Sequence, residues 1–289
     1  MLAAESFSWR EGGADQLTRF DILGRGKPAL LLPALSSVST RSEMHPLAGL
    51  LAEHYRCIIP DWPGFGAERG PDRPLSPECL LDFLRTFLSL DVDGEALVIA
   101  AGHSAAYVMT VARERPEAFS RIVLIAPTWR GPLPTAMGDT RRPLWRAVRR
   151  LIEAPVVGQP FYRLNVNRLV VGRMLKAHVY ADPQFVTPER LADKSAITRR
   201  PGARLATAAF VTGGLDLMTE ERDYIALFAR PLPSPVLALI GGSTPWKSRA
   251  HMEALTRIEG VITEVIPGAL AAHEEYPQAV ADAAARFAG

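Results

Sequence analysis

The chain has 289 residues and is 48% hydrophobic, enough for one large domain that buries about three quarters of its unfolded surface. Lys and Arg number 33 against 31 Asp and Glu, a net charge of +2; this gives no overall field for nucleic acid and leaves a small-molecule substrate as the expected partner. Cys57 and Cys79 have neither metal-ligand spacing nor the density of a disulfide scaffold, the N-terminus lacks the apolar stretch of a secretory leader, and no apolar run reaches the roughly 18 residues of a membrane span. The expectation is therefore a cytoplasmic chain with no metal and no stable membrane insertion.

In chain order, Ser6 to Arg10 and Thr18 to Leu23 read as an antiparallel strand pair joined through Gly12-Gly13. Ala29 to Leu32, Cys57 to Pro60, Ala96 to Ala101 and Arg121 to Ala126 are short continuous apolar runs, the pattern of parallel strands buried on both faces. Between them, Glu43 to His54 and Cys79 to Leu90 carry apolar residues at helical spacing. From Gly131 to about Gly214 the period is helical, with no strand. The alternation then returns with strand Pro235 to Ile240, helix Arg249 to Ile258, strand Val261 to Ile266 and helix Pro277 to Phe287. The spacing predicts an α/β fold: a mostly parallel, doubly wound sheet of about eight strands, with a helical cap inserted after the sixth strand. Residues 1–130 and 215–289 form the core of this reading and 131–214 the cap, over the carboxyl ends of the strands, where ligands bind in such sheets.

Leu97 to Ala101 runs into Gly102-His103-Ser104-Ala105-Ala106 and then into the helical stretch from Tyr107 to Arg115. A strand that turns sharply into a helix strains the central residue and needs small neighbours two positions either side of it; Gly102 and Ala106 meet that need around Ser104. Ser104 is thus the expected nucleophile, at a helix N-terminus that favours an oxyanion. The plainer alternative is that Ser104 only caps the helix.

With Asp61-Trp62-Pro63-Gly64-Phe65-Gly66 after the second apolar strand and Arg121 to Pro127 before the cap, the chain resembles the α/β-hydrolase superfamily over essentially its whole length. Pro127 to Pro134, Thr212 to Asp216 and His273-Glu274-Glu275-Tyr276-Pro277 are similar to a subgroup of it with atypical acid and oxyanion-loop positions. The resemblance implies a base in the loop after the last strand, where His273 is the one histidine. It implies an oxyanion hole from the N–H groups of Leu35 and Ala105, although Pro33-Ala34 stands where relatives have His-Gly. The acid is expected after the strand ending at Ile240, where Thr244 stands instead of Asp. Asp216 is the first substitute, with Glu43 and Glu274 as weaker ones. Trp62, Phe65 and Trp129 are the expected substrate-pocket residues.

These residues imply a capped serine hydrolase that cleaves a carboxylic ester or related acyl bond of a small, largely apolar substrate through an acyl-enzyme on Ser104, without a cofactor. The alternatives are a non-catalytic ligand-binding protein on this fold, supported by the missing Asp and His-Gly, or a non-hydrolytic enzyme such as a lyase or perhydrolase. Arg141 to Ala154 reads as an amphipathic cap helix with its arginines largely opposite Leu144, Trp145, Val148 and Leu151.

Overall fold

The computed structural model describes residues 2–11, 14–66, 73–89, 92, 96–138 and 142–289. Eight strands, β1 (Ala3–Glu11), β2 (Ala14–Leu23), β3 (Lys27–Leu32), β4 (Tyr55–Pro60), β5 (Leu97–Ala101), β6 (Arg121–Ile125), β7 (Val236–Gly241) and β8 (Val261–Ile266), form one sheet in the order β1-β2-β4-β3-β5-β6-β7-β8. β1 with β2 and β2 with β4 are antiparallel, and the remaining pairs are parallel. The Gly12-Gly13 link lies outside the described residues. β5 and β7 are buried at every position, which is why their sequences are apolar throughout rather than alternating.

Helices α1 (His45–Leu51), α2 (Pro77–Phe87) and α3 (Ser104–Glu114) connect the strands up to β6. Between β6 and β7 the described residues form α4 (Pro132–Met137), α5 (Arg142–Glu153), α6 (Gly158–Asn165), α7 (Arg168–Met174), α8 (Pro188–Arg199), α9 (Ala203–Val211) and α10 (Glu221–Ala226), with no strand among them. This is the helical cap after the sixth strand. Helices α11 (Trp246–Glu253), α12 (Ala272–Glu275) and α13 (Pro277–Ala288) complete the chain. One face of the sheet buries Phe83 and Phe87 of α2 with Tyr107 of α3 and Trp62. The other buries Leu47 of α1 with Val280 and Ala284 of α13. This division into two faces is what a doubly wound sheet requires.

The helix expected from Glu43 to His54 begins instead as a 3-10 turn over Arg41–Met44, capped by the Thr40 side chain at Ser42 N, and only then becomes α1. An ionic cluster fixes this turn. Arg41 donates from Nε to Asp21 Oδ2 at 2.8 Å, and from its backbone N and Nη1 to Asp61 at 2.7 and 2.5 Å, while His45 Nε2 lies 2.8 Å from Asp21 Oδ2. Asp21 and Asp61 are buried, and burial pushes the Asp61 carboxyl up against the opposing pull of Arg41. Removing a buried partner strands the remaining charge. Replacing Arg41 with Met is therefore expected to destabilise the protein by about 3–5 kcal/mol, read as the shift in urea-unfolding free energy; a loss below about 1 kcal/mol would mean that the cluster does not hold the turn.

Candidate active site

The site is built at the carboxyl end of the parallel strands, from the loop after β3, the turn after β5 and the loop after β8, under α8 of the cap. β5 ends at Ala101, and the chain turns at Gly102, whose φ is +56°. Gly102 N continues the ladder by donating to Ile125 O at 2.8 Å, and its carbonyl accepts from Thr128 N at 3.1 Å. His103 is already in the right-handed helical region, and α3 begins at Ser104. The strained position of the elbow is thus Gly102, two residues before the one expected from sequence. In this fold the strained turn is what presents the nucleophile, and here it carries no side chain. A Cβ built on Gly102 meets only the Ala34 Cβ, at 3.4 Å, so space does not demand glycine, but the left-handed backbone favours it.

Ser104 is fully buried. Its hydroxyl donates to Pro33 O at 2.6 Å and accepts from Trp62 Nε1 at 2.9 Å, with the same indole N–H also 3.0 Å from Pro33 O. Both hydrogen-bonding directions of the hydroxyl are used. The expectation of an exposed Ser104 hydroxyl is corrected accordingly: it ties the first turn of α3 to the loop after β3. Among the described residues, no hydrogen bond joins Ser104 to His273.

His273, at the start of α12, is 1% exposed. Its Nε2 lies 3.2 Å from Glu43 Oε1, without the alignment of a hydrogen bond, so both ring nitrogens are buried and lack a hydrogen-bond partner among the described residues. Glu43, carried by the 3-10 turn, also accepts from Ala34 N at 2.7 Å. Burial pushes its carboxyl up, but His273, Lys194 and the Ala34 N–H together more than offset this and hold it below the ordinary value, so Glu43 is ionised at neutral pH. Lys194 of α8 lies 3.7 Å from Glu43 Oε2 and 2.8 Å from Glu274 Oε2, and the Tyr180 hydroxyl donates to Glu274 Oε1. A cap lysine thus sits between two carboxylates of the core. Val38 and Ala271 of the core pack there against Val171, Leu175 and Tyr180 of the cap, an apolar border to the charged cluster.

Asp216 takes a different partner from the one expected. It accepts from Gly131 N at 2.8 Å and lies 3.5 Å from His103 Nε2, which donates to Leu215 O at 3.2 Å. It fastens the end of the cap to the elbow, and the carboxylate beside His273 is Glu43. Thr244, where an Asp was expected, is buried with Oγ1 lacking a hydrogen-bond partner among the described residues. Ala105 N, an expected oxyanion donor, donates to Gly102 O at 3.2 Å. Leu35, the other residue expected to supply an oxyanion N–H, is buried in the loop after β3. The expected pocket aromatics are core residues. Trp62 packs on Phe83 and Tyr107, Phe65 meets Phe210 edge-on, and Trp129 stacks on Tyr224 at 5.8 Å with its N–H donating to His251. Sequence reasoning missed Lys194 and the strained backbone at Gly102; Ala100 and Ser104 admit an elbow at Gly102 without distinguishing it from one at Ser104, and Lys194 carried no signal.

Burial holds the His103 pKa down to about 4 from 6.5, against the opposing pull of the Leu215 and Arg130 carbonyls. Because the unfolded chain takes up this proton at higher pH than the folded one, the stabilisation is complete above about pH 6.5 and is lost as pH falls toward 4. The loss amounts to about 3 kcal/mol at most. Replacing His103 with Gln is expected to flatten the decline of the melting temperature between pH 6.5 and 4 relative to the unsubstituted protein. Identical declines in the two proteins would contradict the assignment.

The fold has many solved counterparts. A serine hydrolase involved in carbazole degradation is similar at 19% identity, with 99% of each chain covered and a TM-score of 0.71. A thermophilic esterase from Thermogutta terrifontis is similar at 20% identity, covering 99% of this chain and 98% of that one, with a TM-score of 0.70. A variant of the haloalkane dehalogenase DatA from Agrobacterium tumefaciens is similar at 18% identity, covering 99% and 97%, with a TM-score of 0.70. At these identities the likeness shows a shared fold. A search of curated proteins returned no match. The sequence model described as the alpha/beta hydrolase family matches residues 29–283, and with the sheet order above the chain belongs to that family.

Proposed function

We propose that the protein hydrolyses a carboxylic ester or related acyl bond of a small, largely apolar substrate, with His273 as general base, Glu43 as its carboxylate partner and water as the nucleophile. The observation that carries this reading is the buried His273 ring, which has the Glu43 carboxylate at 3.2 Å and, among the described residues, no well-aligned hydrogen bond on either nitrogen. Buried polar atoms of native proteins are otherwise almost always satisfied, and such an exception where core and cap residues meet supports a reacting group.

In this mechanism His273 takes a proton from a water molecule as the water attacks the acyl carbon. The tetrahedral oxyanion is received by the N–H groups of Leu35 and His103. Collapse breaks the bond to the leaving oxygen, which takes the proton back from His273. Glu43 holds the imidazolium while it is charged, and Lys194 keeps Glu43 ionised. Ser104 stays out of the reaction, and no acyl-enzyme forms on it. The apolar border of Val38, Val171 and Ala271 supports an apolar substrate.

A second reading, a hydrolase-fold protein that binds a small apolar ligand without turning it over, is favoured by one observation: glycine occupies the strained turn. Steady-state kinetics on short p-nitrophenyl esters, together with a fluorophosphonate probe, separate the two. The enzymatic reading predicts turnover, no probe labelling, a loss of about 100-fold or more in kcat for His273→Ala, and retention of activity within about threefold for Ser104→Ala, which keeps the Trp62–Pro33 hydrogen bond and costs only about 1 kcal/mol of stability. Probe labelling of Ser104, with turnover abolished in Ser104→Ala, would reinstate the serine route. Folded protein without turnover would favour the binder.

A further inference from the structure

Charge is distributed unevenly along the chain. Between Arg142 and Tyr180 there are eight Arg and Lys residues and a single carboxylate, Glu153, in a protein whose net charge is only +2. Exposed apolar side chains crowd into the same stretch: eight of the fifteen exposed large hydrophobic residues lie between Leu144 and Val170. Val157, Phe161 and Leu164 stand four and three residues apart, and Phe161 N donates to Val157 O, so they form one stripe along α6. The stripe continues through the turn at Asn167, whose side chain donates to Leu164 O and accepts from Leu169 N and Val170 N. Leu164 and Leu169 are 72% and 85% exposed. Arg163, Arg168 and Arg199 line a cavity of about 280 Å³ against α6, and among the described residues no carboxylate lies within ion-pair distance of any of the three.

We propose that this face of the cap docks the protein on an anionic lipid bilayer, with the α6–α7 apolar residues entering the interface and the surrounding arginines meeting the phosphates. Apolar area bordered by an excess of cations is the composition that binds such surfaces. A second copy of the chain would bring the same excess of positive charge against itself, which disfavours self-association through this face. Among the described residues no helix is long and apolar enough to cross a membrane, so the attachment is peripheral. It does not rest on the catalytic reading.

The test is co-sedimentation of the full chain with vesicles of phosphatidylcholine alone or with 30% phosphatidylglycerol, a fraction set at about one lipid in three. The expected result is partitioning onto the anionic vesicles at least about tenfold above the neutral ones, falling about tenfold or more in high salt. Leu164→Asp/Leu169→Asp and, separately, Arg163→Glu/Arg168→Glu should each lose binding by about tenfold or more while keeping the melting temperature of the unsubstituted protein. Absence of binding to anionic vesicles, or equal binding to both vesicle types, would overturn the proposal. So would a dimer in light scattering that Leu164→Asp/Leu169→Asp converts to a monomer, because the face would then be covered by a second copy.

Discussion

The backbone at Gly102 constrains everything at the active end of the sheet. The chain leaves β5 in the ladder with Ile125, turns through a left-handed residue, and is helical from His103 onward. One residue alone occupies the strained turn, and in this fold the side chain it carries is the one the turn presents. With glycine there, Ser104 falls into the first turn of α3 and is consumed by Pro33 O and the Trp62 indole. Both hydrogen-bonding directions of the residue that looks most reactive in the sequence are therefore engaged by core groups.

That end of the sheet holds a buried ionic cluster which the topology assembles from distant segments. Arg41, clamped between Asp21 and Asp61, sets the turn that carries Glu43. The loop after β8 brings His273, and α8 of the cap brings Lys194. Each charge is costly to bury alone, and they are tolerable together because each has an opposite charge nearby. The same arrangement couples cap to core, since Lys194 and Tyr180 both reach Glu274 and the Ala181 and Asp182 N–H groups both reach Glu275. Cap position and the state of the His273–Glu43 pair are therefore linked through direct contacts.

The fold was legible because parallel strands buried on both faces leave a local mark: Leu97 to Ala101 and Val236 to Ile240 are apolar without interruption, and helices fall between such runs. The elbow was legible only to within two residues. Small neighbours flank Gly102, as Ala100 and Ser104, just as they flank Ser104, as Gly102 and Ala106; composition cannot separate the two registers, and the sign of φ does. Glu43 was legible in the sequence only as a weaker candidate behind Asp216, because it lies 230 positions from His273 and is brought close only by neighbouring loops at one end of the sheet. Asp216 was well placed by sequence at the re-entry of the cap, yet its geometry serves Gly131 and His103. Trp62 and Trp129 were read as pocket residues from their chemistry, but aromatic stacking and buried N–H partners draw both into the core.

The claim at the centre is that water, and not the Ser104 hydroxyl, attacks the substrate. Intact-mass spectrometry of the protein acid-quenched during turnover of p-nitrophenyl acetate tests it most directly. The account predicts protein of unchanged mass throughout turnover; an acetyl adduct that accumulates, decays with the reaction and maps to Ser104 would contradict it.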